Sequence, residues 1–489
     1  MTMPLFRAFS RLFMFAGVLV LLFGIDLSLA WSAEAAAPVS NQPAAINPFS
    51  FILLELGLIV IVALIAHTLS RRYRLPVVLA ELAIGIAIGN LLYWLDWSPL
   101  FFLIMHIGDA GELFKIVWNS NVSVAAAAGQ IFTPAELGEG QVGGELVRAL
   151  SRGESPELVL MGIALWLFSN LGVVLLLFKL GLETRIKELV KAEPIAFLVS
   201  LTGVTAPFLL GLLVSSWLLS ESSTSVHIFV AAALCTTSAS ISAQLFSNLN
   251  RQHSAEARLA LDAAFIDDVI GVFLLAIITT VALENKTETS EILGLIISAV
   301  LFLAATALLV MQLFKRLPAF QRSDEPHVQL LIPVVIVFLI SWLSDLAQLG
   351  AIAGAFIAGL ILTGQRDSKA MIEGLITPLE KIFAPIFFVF VGMQVNLMLF
   401  LEPKIIWLTV LLAAAAVLGK MAAGFVARRT FDPRIVGLGM VPRGEAVLIF
   451  ISVGKVLGIV SDSLFSVIVM MVIITNVVTP WALQREFSR

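Results

Sequence analysis

The chain reads as an all-α polytopic membrane protein of about thirteen transmembrane helices in two inverted-topology repeats. Three observations predict this. The 489 residues are 59% hydrophobic and only 13% charged, with a mean hydropathy of +1.01; an ordinary soluble chain is about 45–50% apolar and about 25% charged. Apolar runs of near-spanning length recur from residue 49 to residue 483. The loops between those runs alternate between basic on one side and acidic or bare on the other, as the positive-inside rule requires.

At the amino terminus, Arg7 and Arg11 precede the apolar run Leu12–Gly24, and small residues follow at Ala33–Ala37. That layout predicts a signal peptide over 1–37, the competing reading being an uncleaved extra span. Ala35–Asn47 is a polar, proline-containing lead-in. A membrane domain over 38–483 follows, interrupted by a long outer loop at 96–157 and ending in a short cytoplasmic tail at 484–489. Candidate spans lie near 49–68, 76–95, 158–182, 194–219, 226–246, 258–283 and 291–313, then near 328–346, 349–364, 379–399, 404–427, 436–459 and 463–483.

Loop charge tests the count. Arg71, Arg72 and Arg74 follow the first span, Arg185, Lys187 and Lys191 the third, and Arg251 and Arg258 bracket the turn into the sixth. Lys315, Arg316 and Arg322 follow the seventh, Arg366 and Lys369 the ninth, and Arg428, Arg429 and Arg434 the eleventh. A thirteen-span count puts all of them on one side, with the amino terminus outside and the carboxyl terminus inside; an even count breaks the alternation. In the long loop, Pro99–Ile107 and Gly111–Trp118 are too short to span and are expected to lie at the surface.

Weak internal symmetry supports repeats. Leu177–Ile186 of the third span is similar to Val389–Met398 of the tenth, and Ala80–Gly89 of the second to Gly350–Gly359 of the ninth. Each pair is seven spans apart, which makes the repeats antiparallel, although close helix packing alone can favour such glycine and alanine strings.

The decisive feature is Asp267 beside Asp268 inside the apolar stretch Leu259–Leu283. A carboxylate at membrane depth is costly unless it faces a polar cavity, another charge or an ion. With the sixth span entering near Arg258, Asp268 lies ~15 Å deep, and Thr236 of the fifth span reaches a similar depth. Lys420 lies ~10 Å from the inner face, and Arg443 and Glu445 lie ~12–15 Å deep. The deepest charges of separate spans therefore share one layer. Two interruptions fall there too, in the hydroxyl-rich Cys235–Ser242 (Thr236, Thr237, Ser238 and Ser240 are the candidate lining) and in Pro442-Arg443-Gly444. Broken helices at depth are tolerated where they line a cavity, and their ends present partial charges to a midplane ion. Asp267 and Asp268 diverge by ~100° on a helix, so one can pair with a cation of the protein while the other faces the cavity. Such a carboxylate holds either a proton or a metal cation, which suffices to couple the two fluxes. Structural pairing of the aspartates with Lys420 and Arg443 is the alternative.

Other polar residues rank lower. Glu81 is expected to pair with a loop arginine, Lys179 and Glu183 to snorkel to the inner surface, and Asp345 to be solvated. His227 and His253 are expected in loops, without metal-ligand spacing. The single cysteine, Cys235, excludes an internal disulfide and a cysteine metal cluster. The net charge of -4, without a basic patch, gives no reason for a nucleic-acid partner, and no cofactor is expected.

These residues carry a resemblance. Arg74–Asn90, Leu175–Glu183, Ala263–Val272, Gly354–Leu362, Ala384–Met393 and Val441–Phe450 resemble, in order and span, the second branch of the monovalent cation:proton antiporters. That group includes NapA-like sodium/proton exchangers and the Kef potassium-efflux systems. The resemblance implies an NhaA-like fold with broken crossing helices, interleaved dimerisation and core helices, a homodimer in the lipid bilayer, and alternating access. It implies Asp268 as the site of the transported Na⁺ or K⁺ and of H⁺, with Asp267 in a salt bridge to Lys420. Arg443 and Glu445 are expected to compensate charge. Thr184 and Asn396 depart from the family's common acidic residues, and the sequence ends at Arg489 without a nucleotide-binding domain, which argues against a ligand-gated Kef system. The expected location is a bacterial inner membrane, or an internal photosynthetic one.

Other classes share some of these features. An uncoupled cation channel or a K⁺ efflux protein would use the same charges. Intramembrane aspartyl proteases also bury two aspartates, but on separate helices and with a GxGD string that this sequence lacks, so the chain is not expected to be an enzyme.

Overall fold

The computed structural model describes residues 48–73, 75–95, 99–120, 122–138, 141–151, 155–184, 194–284, 326–347, 349–362 and 366–488. The expected signal peptide 1–37, the seventh span near 291–313, and Arg74, Arg185, Lys187, Lys191, Lys315, Arg316 and Arg322 lie outside the described residues. Within them the chain is helical, with one 3₁₀ turn at Leu397–Leu401 and no strand. Its helices are α1 (Pro48–Tyr73), α2 (Val77–Trp94), α3 (Pro99–Met105), α4 (Ile107–Ser120), α5 (Val124–Ile131), α6 (Val142–Ser151), α7 (Ser155–Glu183) and α8 (Pro194–Leu218). The expected fifth span is two helices, α9 (Thr224–Ala233) and α10 (Ala239–Asn248), followed by α11 (Ala255–Glu284). Then come α12 (Pro326–Leu346), α13 (Ala351–Leu362), α14 (Arg366–Met393), α15 (Pro403–Val426), α16 (Pro433–Gly439), α17 (Glu445–Val456) and α18 (Asp462–Phe487). Among the described residues, 7 helices are long and apolar enough to cross a membrane.

The described residues form two compact units. One is built from the described part of Met1–Asn170 with Pro385–Phe400 and Ser461–Ser466; the other from Leu171–Ala384, Leu401–Val460 and Val467–Arg489.

In the first unit, α2 lies against the end of α14 through glycines. A Cβ on Gly85 would come within 2.4 Å of the Val389 carbonyl oxygen, and one on Gly392 within 2.5 Å of that of Leu82. Asn90 fastens the same pair: its Nδ2 donates to Ile86 O and Val395 O, and its Oδ1 accepts from the Leu397 N–H. In the second unit, α7 and α13 meet in the same way, a Cβ on Gly181 falling 2.2 Å from Phe356 O and one on Gly359 2.1 Å from Phe178 O. The repeat inferred from sequence matches the second span to the ninth and the third to the tenth. Under that exchange, the α2–α14 contact maps onto the α13–α7 contact. The glycine strings are therefore close-packing devices occurring at equivalent places in both repeats, as small residues in lipid-embedded helices allow.

The long loop 96–157 is more structured than expected. It forms the short helices α3 to α6, and Leu103, Ile104, Met105 and Leu113 are buried where surface-lying segments were anticipated. Their apolar residues need cover, and α2 supplies some of it, with Tyr93 stacked on Phe102 at 6.2 Å. The expected tail at 484–489 is largely the end of α18, which runs to Phe487; that ring meets Phe246 edge-on and lies under the Arg251 guanidinium. His227 stands in the first turns of α9 and not in a loop, because Ser223 precedes the helix and hands its carbonyl to the Val226 and His227 N–H groups. Asp345 is exposed as expected.

In the second unit the scaffold of the site is α8 against α15. Pro207, inside α8, sits against Gly419 of α15, where a Cβ would fall 2.6 Å from the ring. Beside it a buried cluster, including Val199, Phe246, Ala260, Ala263, Ala423, Val436 and Met440, joins α8, α10, α11, α15 and α16.

Candidate functional site

Both interruptions read from the sequence are present. Backbone Leu234–Ser238 separates α9 from α10, and Met440–Gly444 separates α16 from α17. Pro442 supplies no N–H, and Gly444, at φ -134 and ψ -141, takes the place before α17 without a side chain. A Cβ on Gly444 would strike Ser238 Oγ at 2.5 Å, so the residue's smallness is what lets the breaks meet.

Buried polar backbone must find partners, and several of the freed groups find them across the breaks. The Ser238 N–H donates to Pro442 O at 2.9 Å. Lys420 Nζ donates to Cys235 O at 2.7 Å. Arg443 donates to Thr236 O through one guanidinium nitrogen and to Ala416 O, at 3.4 Å, through another. Asn476 of α18 closes the second break: its Oδ1 accepts from the Arg443 N–H, and its Nδ2 donates to Arg443 O at 2.5 Å. The carbonyl ends of the first break are thus held by cationic side chains, which suits the partial negative charge at a helix C-terminus.

Asp267 and Asp268, neighbours on α11, have opposite environments. Asp267 is fully buried and saturated: Ser200 Oγ donates to Oδ1 at 2.5 Å, while Thr237 Oγ1 and Lys420 Nζ donate to Oδ2 at 2.9 and 2.5 Å. Lys420 is fully buried as well. Asp268 retains 5% of its surface and, among the described residues, its carboxylate makes no hydrogen bond or ion pair. Its charged neighbours are Glu445 and Asp267 on the negative side and Lys420 on the positive side. Gly271, one turn on, lets α11 close on the first break; a Cβ there would fall 2.6 Å from Thr236 Cγ2.

The site residues read from sequence are largely brought together. Thr236, Thr237 and Ser238 occupy the first break, while Ser240 lies in the first turn of α10 with its hydroxyl 3.0 Å from Ser238 Oγ. Two expectations are corrected. Arg443 is held by carbonyl oxygens, and among the described residues it forms no ion pair, because the broken backbone competes for its donors. Glu445 likewise has no cationic partner there; it opens α17 and accepts from Ser238 Oγ at 3.4 Å. Lys179 does more than snorkel: it pairs with Glu380 at 3.1 Å. Glu81 is buried. Two contributors were missed, Ser200 and Asn476. The signal for Asn476 was present, since an amide within the apolar run Val467–Val478 needs a partner; Ser200, one hydroxyl among many, carried none.

Polar atoms without partners remain at the crossing: Thr236 Oγ1 and Arg443 Nε are buried and unbonded among the described residues. Chemically, the arrangement offers one bare carboxylate in a setting of three acids and two bases, lined by hydroxyls. It can exchange one small cation for another.

The comparisons with known proteins agree with this chemistry. A family model described as "Sodium/hydrogen exchanger, transmembrane" matches residues 57–485. The chain is 32% identical over 329 residues to the high-affinity Na(+)/H(+) antiporter NhaS3 of Synechocystis sp., covering 65% of this chain and 71% of the relative. It is 33% identical over 330 residues to the Na(+)/H(+)-K(+) antiporter GerN of Bacillus cereus, covering 65% and 82%. The solved structure of the sodium proton antiporter MjNhaP1 from Methanocaldococcus jannaschii superposes with a TM-score of 0.58 over 90% of this chain and 97% of that one, at 13% identity, and so shares its fold. The chain belongs to the sodium/hydrogen exchanger family of monovalent cation:proton antiporters.

Proposed function

We propose that this antiporter moves Na⁺ against H⁺ by alternating access, with Asp268 as the shared site and K⁺ as a competing cargo. One observation carries the proposal: of two adjacent buried carboxylates, one is saturated by three donors and the other is bare. The Asp267–Lys420 pair is neutral as a unit, and counted together the three acids and two bases leave the site one positive charge short, with Asp268 the carboxylate open to it. A proton supplies that charge; so does one monovalent cation, with hydroxyls to replace part of its hydration shell. A carboxylate cannot carry both at once. If the site faces one side of the membrane at a time, the competition couples the fluxes without a direct contact between the two ions. The names of the relatives point to Na⁺, and that of GerN adds K⁺.

In this reading Arg443, Lys420 and Asn476 hold the broken backbones in place, and Asp267 keeps Lys420 from neutralising Asp268. The protein works as a homodimer in a bacterial inner or photosynthetic membrane, amino terminus outside and carboxyl terminus inside. It is a transporter and not an enzyme: two aspartates side by side on one helix cannot face each other across a water, as an aspartyl protease requires.

The test is exchange in acid-loaded proteoliposomes, with Na⁺, Li⁺ or K⁺ added outside at several pH values. Cation-driven collapse of the pH gradient is expected for the wild type and none for Asp268→Asn, with both eluting as folded protein. Normal exchange by Asp268→Asn removes the carrier role. Cation currents that ignore the proton gradient would make the chain a channel.

A further inference from the structure

A second cluster, sharing no residue with the carboxylate pair, lies wholly in the first unit. His106 stands at the junction of α3 and α4, Asp109 in the first turn of α4 on the same side, and Asp462 opens α18. His106 Nδ1 is 2.5 Å from Asp462 Oδ2 and 4.0 Å from Asp109 Oδ2, and one ligand atom from each residue lies within 4.8 Å of the others. The imidazole is nearly closed off, at 6% exposure, and the Phe102 ring, 4.7 Å away, covers one side of it. The two carboxylates keep 39% and 22% exposure, so the open side of the cluster faces out through them.

We propose that His106, Asp109 and Asp462 form a binding site for a divalent transition-metal ion, Zn²⁺ being the natural probe. The ligand set supports this choice. One imidazole and two carboxylates suit Zn²⁺ with an open fourth position, whereas Ca²⁺ and Mg²⁺ favour oxygen-only shells. Ligand bonds of about 2.0–2.2 Å put two ligand atoms on one ion roughly 3.3 Å apart. The 2.5 Å contact must open and the 4.0 Å one close, each by less than the swing of a half-exposed carboxylate. Helix N-termini explain each carboxylate separately, since both sit in first turns. They do not explain why residues so far apart in sequence converge with a buried imidazole, bringing two like charges together. A dication held by all three ties the segment expected outside the membrane to the start of the last helix.

Titration calorimetry on the full chain in nanodiscs, after stripping with EDTA, tests the site with ZnCl₂ alone. Saturable uptake of one Zn²⁺ per chain is expected, weakened at least about tenfold by Asp109→Asn and by His106→Ala. Asp109→Asn leaves the His106–Asp462 contact in place, and its elution as folded protein on gel filtration separates loss of zinc from misfolding. No saturable uptake by the wild type, or uptake unchanged in both variants, overturns the proposal and leaves the His106–Asp462 contact as a structural strut. Antiport is not read in this experiment, so its outcome is independent of the role given to Asp268.

Discussion

Replacing Lys420 with methionine keeps the volume of the side chain and removes its charge. In the structure this strips Asp267 of a donor at 2.5 Å and Cys235 O of one at 2.7 Å, where neither the lysine nor the aspartate touches solvent. Ser200 and Thr237 remain on Asp267, but hydroxyls carry no countercharge. Breaking one side of a buried ion pair costs about 3–5 kcal/mol, most of it from the charge left behind. Extending the scaling of soluble domains to a chain of this length gives roughly 1–2 °C per kcal/mol, hence a melting temperature lower by about 3–10 °C. The decisive comparison is a second change, Asp267→Asn, in the Lys420→Met background. The amide removes the orphaned charge and still offers an oxygen to Ser200 or Thr237, so the double variant should melt above Lys420→Met. The assay is thermal unfolding of detergent-solubilised protein followed by fluorescence-detected gel filtration. If Lys420→Met melts within a degree of the wild type, or if the double variant is no more stable than the single one, the pair does not hold the site as described. Lys420→Ala should also weaken exchange or shift its pH profile in proteoliposomes.

Asn476→Ala leaves the Arg443 N–H and C=O without their partners in a buried break, a loss of about 2–4 kcal/mol, which should appear as a lower melting temperature together with reduced exchange. Gly359→Val would drive a Cβ to 2.1 Å from the backbone oxygen of Phe178, which cannot swing aside as a side chain would, and should yield little folded protein on gel filtration. Gly374→Ala meets nothing within 4 Å on an exposed face of α14 and should melt at or slightly above the wild-type temperature. Glu136 accepts from the backbone N–H and the hydroxyl of Thr133 at 2.8 and 2.7 Å, which hold its carboxyl below the ordinary value. A carboxyl lowered by folding adds stability that is present above its unfolded value of about 4.3 and is lost as pH falls through the folded one. Thr133→Ala should therefore move the Glu136 midpoint upward in a carbon-13 carboxyl titration.

The fold class and the site were legible in the chain for different reasons. Lipid accepts only helices whose backbone is satisfied internally, so hydropathy, loop charge and run length constrain architecture more tightly than they do in water. The same expense of charge at depth made Asp267, Asp268, Lys420, Arg443 and Glu445 conspicuous, and Pro442 with the run of hydroxyls marked where two helices break. Glycine strings read as weak repeat signals have a concrete cause in the backbone contacts at Gly85, Gly181, Gly359 and Gly392.

What the linear chain could not state was how those groups are apportioned. Residue type makes Asp267 and Asp268 equivalent, and only the packing of α8, α15 and the first break against α11 gives one aspartate three donors and the other none. Charge counting paired Arg443 with a carboxylate, whereas the folded chain spends that guanidinium on the carbonyls of Thr236 and Ala416, because a broken helix buried away from water must have its oxygens satisfied first. Ser200, Asn476 and the meeting of His106 with Asp462 belong to the same class of fact. Each joins residues far apart in sequence, and a contact of that kind exists only once the helices have chosen their neighbours.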